Sequence, residues 1–120
     1  MSITPEAVVQ RQLDAYNARD VAALLATYAD EAELLEHPNT LLACGSAALR
    51  ERFAARFQEP NLRATLQRRI VMGNLVFDHE IVTRTFPEGP GTLEVVMIYE
   101  VQNGRIARSW AVPGAKTLTR

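Results

Sequence analysis

Residues 95–110, with the sequence VVMIYEVQNGRIARSW, carry the pattern that decides the fold. Two runs rich in apolar residues flank Asn103-Gly104, and Asn-Gly between such runs is the strongest short-range signal for a β-hairpin. Turn residues separate further strand-like runs on either side of it. We predict strands at residues 62–72, 75–86, 92–102 and 105–112. Consecutive hairpins of this kind predict an antiparallel sheet in the second half of the chain.

The first half of the chain has the residue spacing of helices. Thr4 is suited to cap a helix that begins at Pro5, and apolar residues then recur three and four positions apart. Asp20 predicts the cap of a second, shorter helix. A third helix is predicted to open at Gly45 and to end at Pro60.

Helices first and strands afterwards are typical of an α+β domain. A chain of 120 residues suits one domain, and we predict a single domain over residues 1–120 with residues 113–120 as a loose C-terminal tail. A short strand at residues 32–37 is predicted to end before Pro38, since a residue that precedes proline favours extended backbone. A sheet with three helices on one face is expected to enclose a pocket at its open end.

The charge balance and the cysteine content restrict the partners. Thirteen basic and fourteen acidic side chains give a net charge of -1, whereas phosphate binding needs a net basic face, so we expect no nucleic-acid partner. No apolar stretch approaches the length of a membrane span, so we expect no membrane partner. The single cysteine, Cys44, allows no intrachain disulfide, and a reducing, cytoplasmic location is the prediction.

Three stretches carry a resemblance to one fold family: residues 12–38 (QLDAYNARDVAALLATYADEAELLEHP), 45–57 (GSAALRERFAARF) and 95–110. In this order they resemble the nuclear transport factor 2-like superfamily, and within it the SnoaL-like and steroid delta-isomerase-like branches. The resemblance implies an α+β cone in which three N-terminal helices pack on a curved antiparallel sheet and enclose an apolar pocket, often as a homodimer. Because this fold hosts isomerases, cyclases, hydrolases, dehydratases and binders, it does not specify a reaction.

The ketosteroid isomerase branch offers a comparison at the level of residues. Its chemistry uses an aspartate base and an oxyanion hole formed by a tyrosine and a protonated aspartate. The resemblance matches the base with His37, the tyrosine with Gln12 and the buried aspartate with Met97. None of the three groups is kept, and a methionine cannot donate a hydrogen bond to an enolate. Steroid isomerisation by this mechanism is therefore rejected.

His37 is the predicted catalytic acid or base, because the resemblance puts a cavity-facing group at this position and histidine works near neutral pH. The alternative is a strand-end histidine that bonds to the backbone. Glu36 is expected on the opposite face, since side chains alternate along a strand. No metal site is predicted, because His37 and His79 share no close-spaced motif.

The predicted ligand-binding residues come from the first helix, the third helix and the third long strand. On that strand, the apolar face that includes Met97 and Tyr99 is expected to line the pocket. Gln12 and Tyr16 lie one turn apart on the first helix, so both can reach the same cavity. Phe53 is expected to share the cavity wall. The alternative for the aromatic residues is plain core packing.

The other face of the third long strand predicts an interface. Val96 and Ile98 lie there between glutamates, and we expect a homodimer through this outer sheet face. By the family resemblance, the small residues of the last strand face the cavity and Trp110 faces outward. The face of His79 stays open, because a register slip of one residue reverses such an assignment.

Two functions are consistent with these patterns. The first is a small enzyme that acts on a small apolar or hydroxylated molecule by acid-base chemistry, in the manner of an isomerase, cyclase or lyase, with no metal or organic cofactor. His37 is its expected acid or base. The second is a ligand-binding or protein-interaction module without catalysis, which the loss of the isomerase groups favours.

Overall fold

Residues 3–119, which the computed structural model describes, form three helices and six strands. The helices are α1 (Pro5–Ala18), α2 (Val21–Leu25) and α3 (Ser46–Arg56). The strands are β1 (Tyr28–Glu36), β2 (Thr40–Cys44), β3 (Arg63–Met72), β4 (Leu75–Phe86), β5 (Gly89–Gln102) and β6 (Arg105–Leu118). The predicted α+β class is confirmed, with the long strands in the second half of the chain.

The first two helices begin where a side chain satisfies a free backbone N–H. The Thr4 hydroxyl accepts a hydrogen bond from the Ala7 backbone nitrogen at 3.1 Å, and the Asp20 carboxylate accepts one from the Ala23 nitrogen at 3.0 Å. Arg19 ends α1 in the left-handed region, with φ of 57°, and the chain turns directly into α2. Both predicted helix starts are confirmed.

The six strands form one sheet in the order β2-β1-β6-β5-β4-β3. Neighbouring strands are antiparallel except for β1 and β6, which run parallel, so the sheet is mixed rather than fully antiparallel as predicted. The difference arises because β1 and β6 are far apart in the chain, and no hairpin turn fixes their relative direction. Register shifts interrupt several ladders, and such bulges bend the strands.

The last strand is longer than predicted. It continues to Leu118, which pairs with Gly91 of β5. The predicted loose tail over residues 113–120 is therefore wrong up to residue 118, and Arg120 lies outside the described residues. Pro113 does not end the strand, because it falls beside a register shift between β5 and β6, where a residue without an N–H is tolerated.

The helices cover one face of the sheet, here called the inner face, and the core lies between them. Its fully enclosed side chains come from helices and strands alike and include Val8, Val9, Leu49, Val76 and Ile106. At one end the inner face opens into a cavity. Of the helices described, none combines the length and the hydropathy that a membrane crossing requires.

Candidate functional site

A cavity of about 280 Å³ lies between α1, α3 and the inner face of the sheet. This volume is near the lower end of the range of roughly 300–1,000 Å³ that ligand pockets occupy. Most of its wall is hydrophobic, and it includes Leu13, Leu34, Phe53, Val82, Val95 and Met97. Polar groups interrupt the wall at the buried base, at mid-depth and at the mouth. A cavity of this kind suits a small molecule whose surface is largely apolar.

The base of the cavity holds three buried, hydrogen-bonded side chains. Gln12 donates from Nε2 to the Tyr28 hydroxyl at 3.3 Å, and the Tyr99 hydroxyl donates to Gln12 Oε1 at 3.3 Å. Burial raises the pKa of both tyrosines, so each hydroxyl keeps its proton. Because Tyr28 accepts the bond from Gln12, its own O–H remains able to donate.

Aromatic rings form one wall of the cavity. Tyr16 packs edge-on against Phe53 and Phe57, with ring centroids 6.4 Å and 5.5 Å away, a geometry that aromatic pairs prefer. Burial raises the pKa of Tyr16, while the positive charge of Arg56 and a hydrogen bond from it oppose that rise. The wall is therefore rigid and apolar, with one hydroxyl directed to a guanidinium group.

Glu80 of β4 is a carboxyl group within this apolar cavity. It lines the wall although it is only 4% exposed. Desolvation by burial raises its pKa to about 8, the charge of Asp78 adds to the rise, and Arg69 opposes it. Glu80 therefore carries its proton at neutral pH and releases it slightly above. A group whose pKa lies near the working pH is well suited to proton transfer.

The second buried carboxylate of β4, Asp78, has its partners within the protein. Its two oxygens accept hydrogen bonds from Arg69 at 2.7 Å and 2.9 Å, and Arg69 also donates to Gln10 Oε1 at 2.9 Å. Asp78 is fully buried, and this bidentate pair links β3 and β4 to α1. Glu80 is therefore the carboxyl group of β4 that lines the cavity.

The mouth of the cavity carries positive charge. Arg52 and Arg56 of α3 and Arg84 of β4 line it together with Glu36. Arg84 also stacks over the Phe86 ring, 5.1 Å from its centroid. Burial lowers the pKa of both Arg52 and Arg84, and the positive charge of Arg56 lowers it further. The wall therefore changes from apolar to cationic toward solvent.

The predicted ligand-binding residues all lie in the wall of this cavity: Gln12, Tyr16, Phe53, Met97 and Tyr99. Helical spacing on α1 and alternation along β5 are sufficient to bring them together. Contact with a bound molecule stays a prediction for each of them.

His37 is exposed and lies outside the cavity, and Glu36 lines the cavity instead. The prediction that the residue before Pro38 faces the cavity is therefore wrong. A register shift between Leu34 and Leu35 interrupts the alternation of β1, so both leucines line the cavity. The residues after the shift therefore point to the opposite sheet face from the one that strict alternation predicts. From this position His37 does not reach a molecule bound in the cavity.

Sequence reasoning missed Glu80 and the arginines of the mouth. The alternating set of β4 that contains Asp78, Glu80 and Arg84 is the more polar of the two, so alternation alone does not identify it as the buried face. His79 lies on the outer face, where it pairs with Glu94 at 2.7 Å, whereas Glu80 and Arg84 lie on the inner face. Local sequence carried no signal for these residues, because the outer set, with Phe77 and Ile81, is more apolar than the inner one.

The last strand has the register that the resemblance implies. Ser109 and Ala111 of β6 line the cavity, and Trp110 therefore points to the outer face of the sheet. Among residues 3–119, no three side chains of histidine, cysteine, aspartate or glutamate come together as a metal site requires.

Solved structures share this fold. One is a cystatin fold protein from Novosphingobium aromaticivorans, with a TM-score of 0.85 and 22% identity over 92% of this chain and 99% of that one. Another is IdmH from Streptomyces antibioticus, a proposed polyketide cyclase, with a TM-score of 0.77 and 19% identity over 92% of each chain. A third is TerC, co-crystallised with polyporic acid, with a TM-score of 0.78 and 16% identity over 92% of this chain and 91% of TerC.

Sequence comparison identifies the family. Among curated protein sequences, none shows significant similarity to this chain. The model of the SnoaL-like domain, however, matches residues 9–109. Because that match spans most of the chain and the fold agrees with it, the protein belongs to the SnoaL-like domain family.

Proposed function

We propose that this protein binds a small, largely apolar molecule in the cavity and catalyses a proton transfer on it, with Glu80 as the acid or base. The observation that carries the proposal is the burial of Glu80 in an apolar wall, with a pKa raised to about 8. The same environment keeps a carboxylic acid protonated in other enzymes that use it as a proton donor. No metal or organic cofactor is called for by this chemistry.

The polar groups of the base complete the proposed chemistry. In its protonated form, Glu80 donates to a carbonyl oxygen of the ligand, and in its ionised form it removes an acidic C–H proton. The O–H of Tyr28 can polarise the same carbonyl, because Tyr28 accepts, rather than donates, its hydrogen bond with Gln12. Reactions that need only these steps are isomerisations, ring closures and eliminations. Two proteins of the same fold, the proposed cyclase IdmH and TerC, which was co-crystallised with polyporic acid, support a small-molecule ligand.

The test uses 5-nitrobenzisoxazole, a small aromatic probe of carboxylate bases. Loss of its ring C–H proton to a base moves that electron pair into a nitrile and breaks the N–O bond, which yields a coloured phenolate. Ionised Glu80 should act as the base, so the rate should rise with pH around a midpoint of about 8. Glu80→Gln should lower kcat/KM at least about 100-fold.

Glu94→Gln is the matched control, because it removes an exposed carboxylate from the outer face of the neighbouring strand. It should leave both the rate and the pH midpoint unchanged. Equal rates for wild type and Glu80→Gln would contradict the catalytic proposal.

The alternative function is a ligand-binding or protein-interaction module without catalysis. It is favoured by the hydrogen bonds among Gln12, Tyr28 and Tyr99, which satisfy much of the polar base within the protein. Binding of a small apolar probe without any dependence of probe cleavage on Glu80 would support this alternative.

Two further expectations accompany the proposal. We expect two copies to associate through the outer face of the sheet, where apolar side chains remain partly exposed. We also expect a cytoplasmic location, since the thiol of Cys44 is free and exposed, as suits a reducing compartment.

A further inference from the structure

Three arginines converge on the mouth of the cavity from two elements. Arg52 and Arg56 lie four residues apart on α3, so they share one face of the helix, and Arg84 approaches from the inner face of β4. All three line both the cavity and an adjoining shallow groove between β2 and α3. We call these three residues the arginine cluster.

The charge of the arginine cluster is not matched by ion pairs. Within residues 3–119 none of its members forms a salt bridge, whereas Arg69, Arg105 and Arg108 each pair with a carboxylate. The Nε atom of Arg84 is buried and has no hydrogen-bond partner among the described residues. A buried donor without an acceptor is costly, and a bound acceptor removes that cost.

The carboxylates near the arginine cluster offset only part of its charge, and the charge of Glu59 acts on Arg84 from the adjoining groove. Glu51 and Glu59 line the groove outside the cavity, and Glu59 already accepts a hydrogen bond from the Thr85 backbone nitrogen at 2.6 Å. Among the described residues that line the cavity itself, Glu36 is the carboxylate that opposes the three guanidinium groups, because Glu80 holds its proton at neutral pH. The charged residues that line the cavity side of the mouth are therefore net positive.

We propose that the arginine cluster binds the carboxylate of the ligand, so that the substrate is a small apolar acid with its carboxylate at the mouth and its rings directed to Glu80. This inference rests on the proposed function, because it specifies the substrate of the same cavity. A guanidinium group binds a planar carboxylate through two parallel hydrogen bonds. The buried Nε of Arg84 then gains the acceptor that it lacks.

The spacing of Glu80 and Arg84 along β4 fits such a molecule. Glu80 and Arg84 lie four residues apart on β4, a separation of roughly 13 Å at about 3.3 Å per residue. A two-ring aromatic acid together with the reach of the arginine side chain covers this distance. The apolar wall between the two ends, which includes Val82 and Val95, accommodates the rings.

The test compares 2-naphthoate with 2-naphthamide, which have the same rings and differ in charge. Isothermal titration calorimetry at neutral pH should give at least about tenfold tighter binding of the acid to the wild type, as expected for one charge-assisted contact. Arg56→Met and Arg84→Met should each remove most of that preference, measured as the ratio of the amide to the acid dissociation constant within the same variant. Arg50→Met, an exposed position of the same helix outside the cavity wall, should retain it.

Each other outcome overturns the proposal in a recognisable way. Equal affinities of the wild type for acid and amide exclude a carboxylate subsite but leave the proposed function intact. Inorganic phosphate that binds as tightly as 2-naphthoate excludes an apolar acid as the ligand. If neither naphthalene compound binds, the subsite and the ligand class both fail, while the cleavage of 5-nitrobenzisoxazole still reports separately on Glu80. If Arg84→Met does not fold, Arg56→Met still allows acid and amide to be compared, because Arg56 lies on helix α3 and not in the sheet.

Discussion

At the scale of single residues, Glu80 determines how the protein responds to pH. Its pKa has the ordinary value of 4.5 in the unfolded chain and is raised by burial to about 8 in the folded protein. Between these values the unfolded chain has released the proton and the folded protein has kept it. The free energy of unfolding therefore falls as pH rises, by about 1.4 kcal/mol per pH unit at most, and levels off above the folded pKa.

Glu80→Gln removes this titration. We expect its free energy of unfolding to be flatter than that of the wild type between about pH 5 and pH 9, so that the variant is the more stable protein at the alkaline end. Urea denaturation at several pH values measures the difference. Glu94→Gln should keep the wild-type slope, and parallel profiles for Glu80→Gln and wild type would show that the carboxyl is not held protonated.

The residues that could be predicted from the sequence are those with one clear face. Met97 and Tyr99 belong to a strand whose two faces differ sharply in polarity, and Gln12 lies one turn from Tyr16 on a regular helix. Glu80 belongs to the more polar of the two alternating sets of β4, so local pattern does not identify it as buried. Its raised pKa arises from tertiary burial, which no spacing of residues reveals.

At the scale of secondary-structure elements, the pair Arg69–Asp78 ties β3 and β4 to α1. The pair is buried and bidentate, and Arg69 reaches Gln10 on the helix. Asp78→Asn leaves the guanidinium without its counter-charge, so we expect a loss of about 3–5 kcal/mol in the free energy of unfolding. Chemical denaturation measures this loss.

Two comparison variants make that prediction specific to the buried pair. The double change Arg69→Met with Asp78→Leu removes both charges and should restore most of the stability. Glu33→Gln breaks the exposed pair with Arg108 and should cost no more than about 1 kcal/mol. If Asp78→Asn costs no more than Glu33→Gln, the pair does not hold the elements together.

The elements that were predicted correctly are those that local sequence specifies. The turn Asn103-Gly104 joins β5 to β6, and the caps Thr4 and Asp20 start α1 and α2. The parallel pairing of β1 with β6 joins distant parts of the chain, and no local signal encodes it. No local signal encodes the register shift in β1 either, and this shift is the reason why His37 is outside the cavity.

At the scale of the whole molecule, the two faces of the sheet have different properties. The inner face encloses the cavity, while the outer face carries an apolar row across four strands, formed by Ile70, Phe77, Ile98 and Trp110. Ile70 is 47% exposed, and the other three are partly exposed. Ion pairs lie at neighbouring outer positions. An exposed apolar row with a charged border is typical of a protein interface.

We expect two copies of the chain to pair through this row by a two-fold axis, since a self-complementary patch forms a closed dimer. Ile98→Lys should give a folded monomer, because a lysine buried in the interface has no partner for its charge. Sedimentation gives the mass and circular dichroism the fold. Ala22→Lys, which adds the same charge at an exposed position of α2, should remain a dimer.

The position of the row opposite the cavity makes association and ligand binding separable. The Ile98→Lys monomer should bind 2-naphthoate as the wild type does, because its substitution lies on the outer face and every cavity-lining residue of β5 lies on the inner one. Loss of binding on dissociation would mean that the second copy completes the site. A wild-type chain that sediments as a monomer would contradict the interface and leave the cavity as the functional surface of the single chain.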